Sequence, residues 1–417
     1  MKKDSNLIKL LSPSVEKEQI LRNQVVDENG PGTILRDFEI VLGFIGTKGI
    51  KVSARHGFFP LKSLSELNAQ LTHPIEINLK RPQQKSYPYI NGLYLLLRAT
   101  GLTITEGSGT KHVLVLDNTV LQSWRDLNPT ERYFTLLETW LLKGAPEILG
   151  EHGGGFFDSP ITKWTYFFRD IPDRGLRIAG DKDREQLINY SPGLHNVALL
   201  DLFELISVQH AKPEKGKGWR IARVHRTPFG NALLPVLSGY FRSEEYYLNL
   251  GSEKDVAFGQ LQPIVQPYFS EWRKNLVIPE PEFQDGVYVF KASLGSVWRR
   301  IAIPGQMDFD ILSSTILNAF DFDHDHLYEF SYKNRMGILN RINHPYTDEP
   351  PFTDEVLIGD LALKPGTVIT YLFDFGDMWE FDVKLERIDP LDHKMKKPVI
   401  LETRGEAPEQ YPTWDEE

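Results

Sequence analysis

Not one of the 417 residues is a cysteine. That absence excludes disulfides, thiolate nucleophiles, iron–sulfur clusters and cysteine-ligated zinc together. Any metal would have to be held by His and carboxylate groups. Long apolar runs are missing too: no segment approaches the roughly 18–20 unbroken apolar residues of a membrane span. Asp4 and Lys9 interrupt the first residues, and neither an apolar core nor a small-residue cleavage site follows. A cytoplasmic protein with no membrane partner is expected. Several enzyme signatures are also absent. There is no Gly-x-Ser-x-Gly and no His-Glu-x-x-His, and Gly153 to Gly155 lacks the preceding strand and following Gly-Lys-Ser/Thr of a phosphate loop. Asp374-Phe-Gly376 stands without the glycine-rich loop, strand lysine or His-Arg-Asp segment that would make it a kinase magnesium loop.

What is present is enough apolar material, 41% hydrophobic and 12% aromatic, for two or three cores. The net charge of -10 is unevenly spread. From Pro281 onward 13 Lys and Arg face 26 Asp and Glu, giving -13, and the preceding 280 residues carry 34 against 31, giving +3. Two modules with different partners fit this contrast. The prolines and acids of Val277 to Gly286 mark the junction, and the glycines of Glu151 to Asp158 mark a second break. The expected division is a polar lead-in over 1–34 with a helix near Val15 to Val25, units over 35–150 and 151–276, a domain over 286–390, and an acidic tail over 391–417 that is mobile from Ala407.

A single pattern occurs twice in the N-terminal region. Tyr89 to Ala99 reads as a helix broken by Gly101. Alternating runs at Leu102 to Thr105 and Val113 to Leu116 flank a Gly-Ser-Gly turn, and Asn118 can cap a helix to Leu127. In the second copy, Ser191-Pro192 opens a helix on which Leu199, Leu202, Phe203 and Ile206 share a face, carried on through Val208. A lysine-rich tip over 212–218 follows, then a strand from Trp219 to Val224, and Thr227-Pro-Phe-Gly230 starts a helix from Asn231 to Leu237. Both copies resemble the helix-plus-wing portion of winged helix-turn-helix domains. The resemblance implies that the helix before the wing enters a DNA major groove while the wing touches phosphates. Lys212, Lys215, Lys217, Arg220, Arg223 and Arg226 would then be the phosphate contacts, with DNA as partner. A solvated hairpin tip, or a winged helix serving only protein interaction, is the competing reading.

After Gly286 the pattern becomes alternating. Val287 to Leu294 and Val297 to Pro304 form a hairpin around Gly295, Asp308 caps a helix from Phe309 to Phe320, and strands are expected at His326 to Tyr332, Thr367 to Phe373 and Met378 to Glu386. Antiparallel strands with one packed helix make this an α+β domain, so the whole chain is α+β with a mainly helical N-terminal region. Three blocks, Val297-Trp-Arg-Arg-Ile301, Asp325-His-Leu-Tyr-Glu-Phe330 and Tyr371 to Glu380, resemble in order and spacing the plasmid pRiA4b ORF-3-like family, also found as passenger proteins of insertion elements. Relatives carry Gly-Trp where this chain has Asp321-Phe322. The resemblance supplies no activity and implies only a loose DNA-related setting tied to mobile elements.

The residues of these blocks admit two readings. His326, Asp374, Asp377 and Trp379, with Trp298 and Arg299, are the candidate site, and His324, His326, Asp374 and Asp377 are the groups a metal would need. The same residues also fit a hairpin turn in which Gly376 takes a positive φ, aspartates cap backbone N–H groups, His326 pairs with a carboxylate and Trp379 is core. Of Arg299 and Arg300, on opposite faces of one strand, one is expected to meet an acid and the other solvent. The leading expectation is a non-enzymatic binding protein with no cofactor, using DNA through the N-terminal region or a protein partner through the acidic C-terminal domain. The alternatives are a hydrolase centred on His326, Asp374 and Asp377, and a protein-interaction scaffold.

Overall fold

The computed structural model of the chain describes residues 13–53, 56–108, 111–151, 160–241, 257–280 and 282–411. The expected tail end from Pro412, most of the Glu151 to Asp158 break and the first twelve residues of the lead-in lie outside the described residues. Contacts divide the chain into two compact units, Met1–Ile278 and Pro279–Glu417.

In the first unit, α1 (Val15–Asn23) leads to α2 (Ile34–Ile45), β1 (Ile50–Val52), α3 (Leu61–Gln70), α4 (Pro88–Ala99), β2 (Thr103–Ser108), β3 (Lys111–Leu116), α5 (Asn118–Arg125) and α6 (Pro129–Glu138). The same succession then returns as α7 (Pro160–Asp170), β4 (Leu176–Arg177), α8 (Lys182–Leu187), α9 (Leu194–Leu202), β5 (Ile206–His210), β6 (Ile221–Arg226) and α10 (Pro228–Tyr240). Each half holds a small antiparallel sheet in which the last strand pairs with both others, in the orders β1-β3-β2 and β4-β6-β5. Proline at the first helical position opens α4, α6 and α10, where the missing N–H costs nothing.

Three local expectations are corrected. The cap of α5 is Asp117, whose carboxylate accepts from the Thr119 and Val120 N–H groups, and not Asn118. Helix α9 starts at Leu194 and stops at Leu202. Residues 206–208, expected in that helix, belong to β5, because Glu204 takes a left-handed φ of 55° and the Asp201 carboxylate accepts the Val208 N–H at 2.9 Å. The apolar spacing misled because Leu199, Leu202, Phe203 and Ile206 are all buried, whether helical or extended. Helix α10 also runs through Pro235 to Tyr240, three residues past the expected end.

Helix α4 is buried along its whole length. It lies against α9, where a Cβ on Gly92 would meet Leu199 Cγ at 2.9 Å, and the Tyr89 hydroxyl donates to Asp201 at 2.7 Å. Glycine at 92 permits that close approach.

The second unit contains β7 (Val287–Leu294), β8 (Val297–Pro304), α11 (Phe309–Phe320), β9 (Tyr328–Lys333), β10 (Leu339–Asn343), β11 (Val368–Phe373), β12 (Trp379–Asp389) and β13 (Val399–Arg404). These strands make one sheet in the order β10-β9-β11-β12-β7-β8-β13, with antiparallel pairing throughout. Asp308 caps α11 by accepting the Ile311 N–H at 2.8 Å. The helix buries Leu312, Ile316 and Phe320 in a core with Phe290, Ile301, Tyr371, Phe381 and Leu385 from the sheet. Each such side chain contributes about 1.5–3 kcal/mol of burial. The architecture is α+β.

The expected tail from residue 391 is corrected here, since 399–404 pair with β8 as an edge strand. Every residue of β13 is exposed, so its sequence carried no buried alternation to betray it. Strand β10 went unanticipated as well, and β9 begins two residues later than expected.

Candidate functional site

The turn between β11 and β12 is built by its first aspartate. Asp374 is buried, takes a φ of 57°, and points Oδ1 at the N–H groups of Gly376 (2.9 Å) and Asp377 (3.4 Å). An Asx turn of this kind replaces backbone partners that the tight reversal removes. The positive φ expected of Gly376 belongs instead to Asp374 and Met378. Asn and Asp tolerate that conformation because a short polar side chain can bond locally.

His326, just before β9, faces this turn. Its Nε2 lies 3.6 Å from Asp374 Oδ2 and 3.5 Å from Asp325 Oδ1, both longer than a hydrogen bond. Its ring is flanked by Phe373 and Tyr411. Partial burial, together with the Asp325 and Asp374 carboxylates, pushes the Tyr411 phenol up from its ordinary value. Asp377 is exposed. His324 turns the other way, with Nε2 3.2 Å from Asn318 Oδ1. Among the described residues, no group of three or more His, Asp or Glu is arranged to hold a metal ion. None of the four candidate ligands His324, His326, Asp374 and Asp377 belongs to such a group.

The remaining candidates divide between the two faces of the sheet. Trp379 packs edge-on against Phe322 at 5.0 Å, and its Nε1–H is buried without an acceptor. Arg299 is not solvated as one of the strand arginines was expected to be. It is buried, its guanidinium lies 4.5 Å from the Phe320 ring, and it donates to the carbonyls of Ala319, Trp298, Arg404 and Gly405. It thereby ties the C-terminus of α11 to the end of β13. Arg300, on the other face, pairs with Glu386 at 2.7 Å and with Glu402. Trp298 lies between two cations, Lys291 Nζ at 4.7 Å and the Arg300 guanidinium at 5.1 Å from its ring.

A polar network under α11 escaped the sequence reading. The Tyr328 hydroxyl donates to Asp310 and lies 3.1 Å from Thr353 Oγ1, while the Tyr371 hydroxyl meets Ser313 Oγ at 2.7 Å. Burial, then the Asp310 bond, pushes the Tyr328 phenol far up. The His344 ring stands edge-on to Tyr328 at 4.7 Å, and burial lowers its pKa. A usable signal existed: Tyr328 alternates with Phe330 on the inner face, and Asp310 sits in the first turn of the helix above it. His344 had none, since β10 was not foreseen.

In the first unit, the six basic residues proposed as phosphate contacts are mostly engaged. Arg220 meets Glu185 at 3.1 Å and Glu214 at 2.9 Å, and Lys217 lies 3.5 Å from Glu185 and 3.6 Å from Glu214. Arg226 pairs with Asp173, and Arg223 donates to the Arg174 carbonyl at 2.8 Å. Lys212 and Lys215 are exposed. The hairpin tip is also anchored, since Gly216 donates to the Asn78 carbonyl and Asn78 donates to the Lys217 carbonyl.

The second unit is thus an α+β domain with one helix laid across an antiparallel sheet and an Asx turn at the β11/β12 reversal. Residues 289–411 match the family described as plasmid pRiA4b ORF-3-like protein, so the C-terminal region carries an ORF-3-like domain. A curated relative, the uncharacterized protein y4hQ of Sinorhizobium fredii, is 29% identical over 114 residues, a match covering 27% of this chain and 57% of that protein. The crystal structure of a protein of unknown function, MM3350 from Methanosarcina mazei Go1, shares 27% identity over 30% of this chain and 71% of its own, with a TM-score of 0.27. No helix among the described residues is long and apolar enough to cross a membrane.

Proposed function

We propose that this is a non-enzymatic binding protein in which two winged-helix units, joined in one compact body, act as a protein-interaction scaffold alongside the ORF-3-like domain. The succession helix, strand, helix, helix, hairpin, found twice with the same sheet order, supports the winged-helix reading of the first unit. The observation that carries the proposal is the burial of α4 and its packing on α9. These are the helices that a DNA-reading winged helix would lay in the major groove. Here each takes the other as its partner, and the partly buried Asp201 accepts the Tyr89 hydroxyl at their contact. The neutralised charges around Arg220 and Lys217 point the same way, because phosphate binding needs free cations. The mobile-element setting implied by the family resemblance rests on that resemblance alone.

The hydrolase reading has only the His326 and Asp374 pair in its favour. Asp374 already spends one oxygen on the turn, and Asp377 faces solvent. The deciding experiment is electrophoretic retention of random duplex DNA at low salt by the whole chain and by Lys212→Glu/Lys215→Glu. No retention by either is expected. Salt-sensitive retention lost in the double variant would overturn the scaffold reading in favour of wing-mediated DNA association.

A further inference from the structure

Four large apolar side chains stand exposed around the β11/β12 turn: Leu327 at 38%, Phe375 at 44%, Met378 at 56% and Tyr411 at 41%. They come from three segments that hydrogen bonds tie together. The Asp374 N–H donates to the Leu327 carbonyl at 3.0 Å, the Met378 N–H to the Asp374 carbonyl at 2.7 Å, and the Asp323 N–H to Gln410 Oε1 at 2.6 Å. Tyr411 follows Gln410, and its ring lies 6.1 Å from that of His326. Apolar groups exposed singly need no explanation, but a set of them converging on one turn marks a surface that meets a partner.

The charge around this patch has one sign. Residues 321–328, 373–380 and 405–411, the segments that form it, hold three, three and two acids and neither Lys nor Arg. All of these acids except Asp374 are exposed. The Asp325, Asp374 and Asp377 carboxylates all act on the Tyr411 phenol, which places them about its ring. Such a surface repels nucleic acid and anionic lipid and draws in a cationic partner.

Asp374 supplies a fixed point within the patch. It is 6% exposed, and its Oδ1 is held by the N–H groups of Gly376 and Asp377. Its Oδ2 accepts no hydrogen bond from the described residues and is not sealed from solvent. The turn therefore holds one carboxylate oxygen in place, with aromatic rings beside it. A guanidinium matches that arrangement, since it bonds a carboxylate through its edge and lies flat on an aromatic ring.

We infer that this face of the ORF-3-like domain docks a basic segment of a partner protein, one in which arginines alternate with apolar side chains. An arginine pairs with Asp374 Oδ2 beside the Tyr411 ring, apolar side chains cover Phe375, Met378 and Leu327, and flanking arginines meet Asp325 and Asp377. The inference rests on the scaffold reading and gives it one surface and one class of partner. The two fail separately: DNA retention by the wings leaves this surface untouched, and failure of the test below leaves the first unit's role as it stands.

The test is fluorescence polarisation with the whole chain, and the probe is a fluorescein-labelled dodecapeptide of repeating Arg-Leu-Gly-Ser. Its controls carry citrulline in place of every Arg, or Ser in place of every Leu. Saturable binding of the parent peptide is expected, with loss of binding in both controls. Asp374→Asn, which keeps the turn bonds, and Phe375→Ser should each weaken binding about fivefold or more. Phe375 is exposed, so its variant carries the test should Asp374→Asn disturb the turn. Glu282→Gln removes an exposed acid ahead of β7, whose start pairs with the opposite end of β12, and should change binding less than about twofold. Absence of saturable binding, undiminished binding of either control peptide, binding unchanged by Phe375→Ser, or a loss in Glu282→Gln equal to that in Asp374→Asn would overturn the inference. So would self-association of the free chain that Phe375→Ser abolishes, since the patch would then belong to a second copy.

Discussion

In the first unit three buried acids hold loops in place. Glu138 accepts from the Gly259 and Leu261 N–H groups at 2.7 and 3.1 Å, Glu131 accepts from Arg273 and Lys274, and Asp37 accepts from Thr72. In the second unit Asp374 does the same at the β11/β12 turn, and Arg299 adds the opposite polarity by gathering four carbonyls. The difference follows from which backbone ends each architecture leaves over. A helical body bounded by long connections presents unpaired N–H groups where those connections turn inward, and carboxylates accept them. A sheet with one helix on it presents carbonyls where the helix ends against the sheet edge, and a guanidinium with five donors satisfies several at once.

That contrast can be broken from either side. The largest effect is expected from Arg299→Ala, which leaves several buried carbonyls without donors and removes packing on Phe320, at a cost of about 3–4 kcal/mol to the second unit. Calorimetry of the whole chain should show its transition shifting while that of the first unit stays in place. Glu138→Ala is the mirror experiment. It strands two buried N–H groups and should cost the first unit about 2–3 kcal/mol, with faster hydrogen exchange at 259–261 as the direct readout.

A smaller effect, about 1–2 kcal/mol, is expected from Asp374→Ala, which loses the Asx bonds and puts a less tolerant residue at positive φ. Asp374→Asn should retain nearly all the stability, because its amide oxygen keeps the turn bonds. Loss of stability in the asparagine variant equal to that in the alanine variant would mean that the charge, and not the turn, is what matters. The smallest effect is pH-dependent. Its hydrogen bond to Arg300 holds the Glu386 carboxyl below its ordinary value of 4.5. The folded unit therefore binds fewer protons than the unfolded chain in that window. The stabilisation, about 0.5–1 kcal/mol for a partly exposed pair, is fully present above pH 4.5 and is lost as the pH falls through the depressed value. Glu386→Gln should remove it at neutral pH and flatten the acid limb of a pH titration of unfolding.

What could be read from the residues alone depended on whether burial and period agreed. The β7/β8 hairpin and α11 were legible because alternation, Gly295 and the Asp308 cap all gave one answer. The end of α9 was not, because a buried apolar face looks the same in a helix and in the strand that follows it, and only Glu204 in a left-handed conformation separates them. Strand β13 was invisible because it lies exposed at an edge. At the candidate site, the turn was legible as a turn, yet the residue bearing its strain was read as Gly376 when it is Asp374. Arg299 was named for its place in the family block. Its role as a clamp depends on the carbonyls of Arg404 and Gly405, a hundred residues away in sequence.

The sheet order of the second unit sets a schedule for its assembly. The β7/β8 hairpin is the first piece of the sheet to be synthesised, yet its two flanks are filled by β12 and β13, which come last. Until residue 404 is available, one side of β8 has an open row of backbone donors and acceptors, and Arg299 lacks two of its four carbonyls. Such long-range closure makes folding slow and late. A nascent or C-terminally shortened chain would therefore present a ready template for misplaced strands, and holdase chaperones should retain it until β13 docks.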